Sequence, residues 1–411
     1  MKQDIDRLMS ERELDAILLQ GKVLGNPPLL YMLNGVHMTS ALVIKKRGEE
    51  PNLIVGPMER DTAISVGYPV KLTTRYEYNA LLKAHQGDTL RASLAYYQRI
   101  FEDLEVLGRV GCYGYLDQGY AYALLSALDA ALPDVELVGE IQDDLIRAAR
   151  GTKDAMEAAR IREVGRKTVS IVEQTLLFLQ SHAVGEDEVL RKADGTSLTV
   201  GDAHRQIVKL IAEQGLEDPE GFIFATGREA GIPHSRGNPT APLRLGESIV
   251  FDIFPREAGG GYFFDLTRTF CLGYAPEPVA RLHRDVVDCL LALQREMRVG
   301  EEVRSYQQLT CALLRDKGHP TIEDDPATQN GYVHSIGHGV GLEIHELPSF
   351  RDDPGNTVRV TPGHVFAMEP GLYYPEDGMG CRVEDMLWID EEGEVRNLTQ
   401  MSYELVVPVE R

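Results

Sequence analysis

The sequence is poor in cysteine and has no long hydrophobic run. Its five cysteines, spread over 411 residues, never stand at the CxxC spacing of a thiolate zinc site, and an odd, dispersed set does not suit a disulfide framework. No apolar run approaches the roughly 18–20 residues that a membrane-spanning helix needs. Residues 1–21 place acidic and basic side chains where a signal peptide would have its apolar segment. We therefore expect reduced, mostly buried cysteines and a cytoplasmic protein.

Positive charge is also scarce. Lysine and arginine number 42 against 64 aspartate and glutamate residues, so the formal net charge is −22. An excess of this sign repels phosphate backbones and anionic lipid surfaces, so we expect neither nucleic acid nor a membrane as a partner. Most of these acidic residues are explained by solubility. The informative ones are the few that stand inside apolar strands.

A chain of 411 residues exceeds what one compact core usually holds, which predicts two domains. Residues 1–147 show the short apolar runs and the helical stretch of an α/β unit. A basic, glycine-containing segment at 147–153 marks the boundary. Beyond it the pattern predicts a connector at 182–202, a strand- and turn-rich end, and helices over 152–181, 203–214, 277–297 and 305–317. The predicted fold class is α/β (α+β).

The segment 248–270 is predicted to place two carboxylates opposite each other. Its apolar runs flank a glycine-rich turn, and a turn centred between Ala258 and Gly259 pairs Asp252 with Asp265 across a hairpin. Cross-strand partners have Cβ atoms about 4.5–5.5 Å apart. Two carboxylates at that separation among phenylalanines repel each other and lose hydration.

A second hairpin at 364–389 repeats this arrangement. The segment 375–378 (PEDG) is a β-turn sequence, and its centre makes Glu369 and Glu384 cross-strand partners. The alternation of side chains puts Arg382 on the face of Glu384. One facing acid pair could share a proton, but two pairs in one chain indicate a common cation. Bridging carboxylates that hold two divalent ions about 3.5–4 Å apart are typical of two-metal hydrolytic sites.

Three histidines lie between the hairpins, in a short segment of small and apolar residues. They are His334, His338 and His345, and the glycines beside His338 would let its imidazole approach a metal ion closely. A lone histidine is more often a core residue than a ligand, but three beside four paired acids favour a metal site. His234, on a turn-rich loop upstream, belongs equally well to a surface loop or to the site.

Together these segments resemble the pita-bread peptidases that act on Xaa-Pro bonds, prolidase and aminopeptidase P. The resemblance covers residues 150–411 and extends more weakly to the N-terminal part. It implies a creatinase-like N-terminal domain over 1–147 and a pita-bread M24 catalytic domain over 152–411. It rests on four blocks in the family's chain order, at 265–270 (DLTRTF), 334–346 (HSIGHGVGLEIHE), 368–373 (MEPGLY) and 382–385 (RVED).

Carried over residue by residue, the resemblance implies a set of metal ligands. These ligands would hold two divalent ions and are Asp252, Asp265, His338, Glu369 and Glu384. A set rich in carboxylates with one imidazole favours Mn²⁺, with Co²⁺ and Zn²⁺ as alternatives. The implied reaction is hydrolysis of the N-terminal Xaa-Pro bond of dipeptides or short peptides by a hydroxide that bridges the ions.

The same resemblance implies roles for the remaining site residues. Glu369 would also serve as the general base. His234 and His345 would steady the scissile carbonyl and the tetrahedral intermediate. His334 would contact the prolyl side of the substrate, and Arg382 would orient the site or hold a substrate carboxylate. The expected partners are short proline-containing peptides as substrates and, by family analogy, a second copy of the chain in a homodimer.

Three positions depart from the family pattern. Phe254 stands where a glycine usually follows the first ligand, Phe264 stands where a small residue usually precedes the second, and 227–230 (GREA) replaces an asparagine-containing loop. A metal-dependent hydrolase of a non-peptide amide is therefore an alternative. A non-catalytic peptide-binding member of the fold is another, although such members would be expected to lose ligands. The motifs leave the choice between dipeptidase and aminopeptidase P activity open.

Overall fold

The computed structural model describes residues 4–141 and 144–410. The chain divides into two compact units, one formed by residues 1–150 with 259–261 and the other by residues 151–258 with 262–411. The mixed α/β class expected from the sequence is confirmed. Within the described residues, no helix is both long and apolar enough to cross a bilayer.

The first unit is built on a mixed sheet. Its strands are β1 (Ala16–Lys22), β2 (Ser40–Lys46), β3 (Asn52–Val55), β4 (Val70–Leu72), β5 (Gly108–Tyr113) and β6 (Val135–Val138). They lie in the order β4-β3-β2-β1-β5-β6, with β2 antiparallel to both β1 and β3 and the other pairs parallel. The helices are α1 (Ile5–Glu11), α2 (Pro27–Met32), α3 (Arg60–Ile64), α4 (Tyr78–Ala84), α5 (Thr89–Leu104), α6 (Gln118–Ala131) and α7 (Leu145–Arg150), with 3-10 turns at Pro57–Glu59 and Thr73–Tyr76.

The core of this unit lies between α5 and α6 and one face of the sheet. Leu18 and Val110, on neighbouring strands, point to that face and pack with Ile100 and Phe101 of α5. The side-chain period of two along each strand puts every second residue on this face. The apolar runs that predicted strands in this unit therefore correspond to strands that are buried by helices.

The second unit contains the four helices that the sequence pattern predicted. They are α8 (Ala155–Gln180), α9 (Val200–Glu213), α10 (Glu277–Glu296) and α11 (Arg304–Asp316), with 3-10 turns at Gly227–Gly231 and Pro375–Asp377. Their ends lie within three residues of the predicted ends, and α10 begins at the predicted residue, Glu277. Capping explains two of these shifts, because Asp154 and Thr199 each form a capping box that starts the following helix.

The strands of the second unit are mostly short and antiparallel. They are β7 (Ala183–Val184), β8 (Leu190–Arg191), β9 (Leu216–Glu217), β10 (Ile223–Thr226), β11 (Ser248–Ile253), β12 (Arg256–Glu257), β13 (Leu266–Leu272), β14 (Gly337–Gly339), β15 (Glu346–Ser349), β16 (Val365–Met368), β17 (Gly371–Tyr374), β18 (Met379–Arg382), β19 (Asp385–Ile389), β20 (Val395–Asn397) and β21 (Val406–Val407). The connector predicted at 182–202 contains the small β7–β8 hairpin.

Two larger sheets carry most of the candidate site residues. One has the order β10-β11-β13-β21 and the other has the order β15-β14-β16-β19-β20. The strands β17 and β18 pair with each other and extend the β16–β19 ladder in the same register. An apolar cluster that includes Leu290, Tyr332 and Phe366 packs α10 and α11 against this region. The two helices therefore cover one side of the strands that carry the candidate site.

Candidate metal centre

The first hairpin carries Asp252 and Asp265, but in a different register from the one predicted. Asp252 pairs with Thr267, not with Asp265, so the predicted register is wrong by two residues. The turn is centred between Gly259 and Gly260, whose φ angles are +86° and +91°. A tight turn with positive φ at both central residues favours glycine at both positions. The predicted centre, between Ala258 and Gly259, contained only one glycine. Asp265 remains on the face of Asp252 as its diagonal neighbour, because a shift of two preserves the face.

The second hairpin confirms the predicted register. Gly371 pairs with Arg382 in the β17–β18 ladder, and Met368 pairs with Asp385 in the β16–β19 ladder. Both pairs obey the same alignment, so the residues between the two ladders, Glu369 and Glu384, face each other as expected. The turn ends at Gly378 with φ +68°, a conformation that favours glycine.

His338 lies in β14, between β15 and β16. A Cβ at Gly337 would lie 2.2 Å from the Ala367 carbonyl oxygen, and one at Gly339 would lie 2.0 Å from that of Leu347. The flanking glycines therefore let β14 fit between its neighbouring strands. This differs from the expected reason, the approach of the imidazole to a metal ion.

The structure brings the five predicted ligands into one cluster. The ligand atoms of Asp265, His338 and Glu384 all lie within 4.8 Å of one another. His338 Nε2 is 3.7 Å from Asp265 Oδ2 and 3.8 Å from Glu369 Oε1. Asp252 reaches the same face through the diagonal pairing described above. Such distances suit ligands around a cation and are too long for direct hydrogen bonds.

Two buried carboxylate oxygens of this cluster have no hydrogen-bond partner among the described residues. They are Asp252 Oδ1 and Asp265 Oδ1. The second oxygen of Asp252 accepts a hydrogen bond of 2.6 Å from Arg382 Nη2, and Glu384 Oε2 accepts one of 2.7 Å from Thr267 Oγ1. Buried polar atoms are nearly always paired, so these two carboxylate oxygens fit a site that binds a cation. Hard oxygen donors with one imidazole fit a divalent ion of the Mn²⁺ type.

Burial and mutual repulsion dominate the electrostatics of the cluster. Burial, followed by the charges of neighbouring carboxylates, raises the pKa of Asp265 and of Glu384 well above their usual values. Burial also raises the pKa of Glu369 to about 8, although the charge of Arg382 opposes this shift. Burial lowers the pKa of His338 to about 3, so its imidazole is neutral and able to bind a metal. A divalent ion would reverse these shifts of the carboxylates.

A hydrogen-bonded chain links Arg382 to His334 through Tyr373. Arg382 Nη1 donates to the Tyr373 hydroxyl at 2.7 Å, and that hydroxyl is 2.9 Å from His334 Nε2. His334 Nδ1 lies 2.8 Å from the carbonyl oxygen of Ser335, so Nδ1 donates and Nε2 accepts from Tyr373. Burial lowers the pKa of His334 to about 4, which keeps the ring neutral. Sequence reasoning missed Tyr373, although the alternation from Glu369 puts it on the same face.

The guanidinium group of Arg382 donates its hydrogen bonds to other groups of the protein. Besides Asp252 and Tyr373, it donates to Thr267 Oγ1 at 3.3 Å and to the Pro233 carbonyl oxygen at 3.3 Å. Of the two neighbouring carboxylates, Arg382 hydrogen-bonds to Asp252, whereas Glu384 accepts its hydrogen bond from Thr267. Of the two roles implied for Arg382, orientation of the site matches these contacts better than capture of a substrate carboxylate.

The two remaining histidines have exposed side chains. His345 lies with its ring centroid 4.3 Å from that of His338. His234 follows the 3-10 turn at Gly227–Gly231, and its charge contributes to the lowered pKa values of His334 and His345 after burial and other effects. An exposed imidazole beside the cluster can meet a substrate, whereas the ligands themselves lie deeper.

The phenylalanine that departs from the family pattern before the second ligand faces the core. Phe264 is fully buried, and a Cβ at Gly165 of α8 would lie 2.2 Å from its ring. Phe264 therefore packs against the helix, on the opposite side of the strand from Asp265. Phe254, beyond the end of β11, is half-buried.

Comparison with known proteins gives a family and a fold. The model of metallopeptidase family M24 matches residues 143–391. Probable dipeptidase PepE of Mycobacterium tuberculosis is 29% identical over 264 residues, which are 64% of this chain and 62% of that protein. The match thus spans less than two thirds of the length of this curated relative.

Solved structures resemble the chain over almost its whole length. An Xaa-Pro dipeptidase from Bacillus anthracis has a TM-score of 0.74 at 23% identity, covering 98% of this chain and 99% of that one. An X-Pro aminopeptidase from Thermotoga maritima has a TM-score of 0.75 at 19% identity, covering 98% and 100%. At these identities the likeness shows the fold, and the expected fold of an N-terminal domain followed by a pita-bread domain is confirmed.

Proposed function

The chain belongs to metallopeptidase family M24, and from that premise we propose that it hydrolyses the N-terminal Xaa-Pro bond of short peptides with two divalent ions. The proposed ligands are Asp252, Asp265, His338, Glu369 and Glu384. The observation that carries the proposal is the pair of buried carboxylate oxygens without hydrogen-bond partners, on Asp252 and Asp265. Both belong to a cluster that would repel itself without a cation.

The ions, when bound, polarise the scissile carbonyl and lower the pKa of water. Glu369 is the general base in this proposal. Its side chain is 21% exposed, against 12% for Asp252 and 6% for Asp265, so it is the carboxylate best placed to exchange protons with water and substrate. It takes a proton from the attacking water and passes it to the departing prolyl nitrogen.

The histidines act on the substrate from the exposed side of the cluster. His345 and His234 donate hydrogen bonds to the carbonyl oxygen as negative charge develops on it. His334, neutral and held by Tyr373, contacts the prolyl side. Arg382 orients Asp252 by its 2.6 Å hydrogen bond and keeps one carboxylate oxygen free for the metal.

The choice of the Xaa-Pro bond is supported by the named neighbours. An Xaa-Pro dipeptidase and an X-Pro aminopeptidase share the fold over 98% of the chain. The curated relative is named a probable dipeptidase, without mention of proline. These names agree on a substrate cleaved at its first peptide bond. They differ on whether a residue follows the proline.

The test compares three substrates on Mn²⁺-reconstituted protein: an Xaa-Pro dipeptide, the Xaa-Pro-Xaa tripeptide and the matched Xaa-Ala dipeptide. We expect turnover of a proline substrate and little of the alanine control. Cleavage of the dipeptide alone assigns a dipeptidase, whereas cleavage of the tripeptide assigns an aminopeptidase P. Silence on both proline substrates with metal bound would refute the Xaa-Pro assignment and favour a non-peptide amide.

A variant of one proposed ligand tests whether the measured turnover comes from the metal site of this protein or from a contaminating peptidase. Asp265→Asn removes a charge from the cluster and should lower both bound metal, measured by elemental analysis, and turnover. The matched control is Asp194→Asn, an exposed carboxylate of the same unit whose hydrogen bonds are to Thr196. That control should keep wild-type metal content and turnover.

A further inference from the structure

An ion pair outside the proposed ligand set has both side chains almost wholly buried. Lys153 Nζ is 3.0 Å from Glu346 Oε2, and each side chain is 1% exposed. Burying two charges is costly, and such a pair is often no more stabilising than apolar residues of similar volume. A buried pair can instead select one conformation among several. Its position next to His345 suggests which conformation is selected.

Glu346 forms the base of the loop that carries His345. It begins β15 and pairs with Gly339 of β14, so the residues between them form the connecting loop, and His345 is the last of them. The Glu346 side chain turns back into this loop, where its Oε1 accepts the N–H of Glu343 at 3.1 Å. Gly341 leaves room for the carboxylate, because a Cβ there would lie 2.3 Å from Glu346 Oε2. The loop between β14 and β15 therefore packs around the carboxylate of Glu346.

Lys153 reaches this carboxylate from a fixed backbone. Its N–H donates to the Gly363 carbonyl oxygen at 2.7 Å, and the preceding Thr152 bridges to His364. Helix α8 starts two residues later with the capping box of Asp154. The ammonium group of Lys153 therefore extends from a segment whose backbone is fixed by residues 363–364 and by the start of α8.

We propose that Lys153, acting through Glu346, is a positioning residue that fixes the loop and holds the His345 ring against His338. The inference rests on the proposed function in one respect, the action of His345 on the substrate. A displacement of about 1 Å at a group that contacts the reacting carbonyl can lower the rate by about 100-fold. Loss of the ion pair therefore lowers kcat and leaves KM and metal content nearly unchanged.

A double variant separates positioning from folding. Lys153→Met alone removes the ammonium group that pairs with the buried Glu346 carboxylate, so it lowers the melting temperature as well as kcat. Lys153→Met combined with Glu346→Gln removes both charges and keeps an oxygen for the Glu343 N–H. This double variant should melt near the wild-type temperature with wild-type metal content, and its kcat should fall about 10- to 100-fold. Glu163→Gln with Arg166→Met, an exposed pair on α8, is the control that should leave kcat unchanged.

Hydrogen exchange of residues 340–346 provides a readout that does not depend on activity. These amides should exchange faster in the Lys153→Met, Glu346→Gln protein than in the wild type and the control, while the helices exchange as before. If the wild type fails to cleave Xaa-Pro peptides, the proposed function fails, but faster loop exchange still supports the tether. Unchanged exchange in the loop, or unchanged kcat where the wild type is active, overturns the inference.

Discussion

Replacing Arg268 with methionine should cost the second unit much of its stability. Arg268 Nη2 donates to Asp385 Oδ1 at 2.9 Å, and the two side chains are 2% and 0% exposed. The guanidinium also donates to backbone carbonyl oxygens, among them that of Glu384 at 2.7 Å. Arg268→Met leaves the Asp385 carboxylate buried without its counter-charge. Removing one partner of such a pair costs about 3–5 kcal/mol.

The matched control is an exposed pair on the same unit. Arg166 and Glu163 of α8 are three residues apart, with side chains 66% and 53% exposed. Water screens such a pair, so Arg166→Met should leave the free energy of unfolding nearly unchanged. The substitution is the same in both variants, so the difference between them reports the buried ion pair together with the backbone hydrogen bonds of Arg268.

The single tryptophan of the chain makes the assay specific to the second unit. Trp388 lies on β19, three residues after Asp385, so its fluorescence during urea unfolding follows the strand that the ion pair braces. A probe in one unit is needed because a chain with two compact units need not unfold in one step. If the Arg268→Met and Arg166→Met proteins differ by less than about 1 kcal/mol, Asp385 is not an uncompensated buried charge, and the reasoning is wrong.

Three further predictions concern the candidate site. Glu369→Gln should lower kcat by about 10²–10⁴-fold, because it removes the proposed general base, and near-wild-type turnover with both ions bound would exclude that role. Tyr373→Phe should lower kcat with unchanged metal content, because the link between Arg382 and His334 is lost. In metal-free protein, burial raises the pKa of Glu369 from 4.5 to about 8, so the folded state binds more protons than the unfolded state between these values. The melting temperature of the metal-free protein should therefore fall as the pH rises from 4.5 to about 8. Added Mn²⁺ should raise the melting temperature more near pH 8 than near pH 4.5.

The two hairpins show where sequence reasoning works and where it does not. The second hairpin has one turn sequence, so its centre and the facing of Glu369 and Glu384 follow from the sequence. The first has several adjacent glycines, and the sequence does not show which two form the turn. A centre misplaced by one residue shifts the pairing by two. The face is preserved, because side chains alternate with a period of two, so Asp252 and Asp265 still meet in one cluster.

Contacts between distant segments could not be predicted in this way. Lys153 and Glu346 are 193 residues apart in the chain, and no local pattern connects them. Phe264 shows the same limit, since its departure from the family pattern led us to consider a non-peptide amide as substrate, but the ring packs on Gly165 of α8. Periodicity gives the face of a strand, whereas the element that covers that face depends on the packing of the whole unit.

The charges of the cluster favour two ions over one. With all four carboxylates ionised, as they would be around bound metal, they carry −4, and Arg382 beside Asp252 supplies +1, which leaves −3. One divalent ion would leave −1, and a negative site repels the charge that develops on a carbonyl oxygen. Two divalent ions would leave +1, which stabilises that charge. Titration of metal-free protein with Mn²⁺ should therefore give activity that appears with the second equivalent, and full activity at one equivalent would refute the two-ion site.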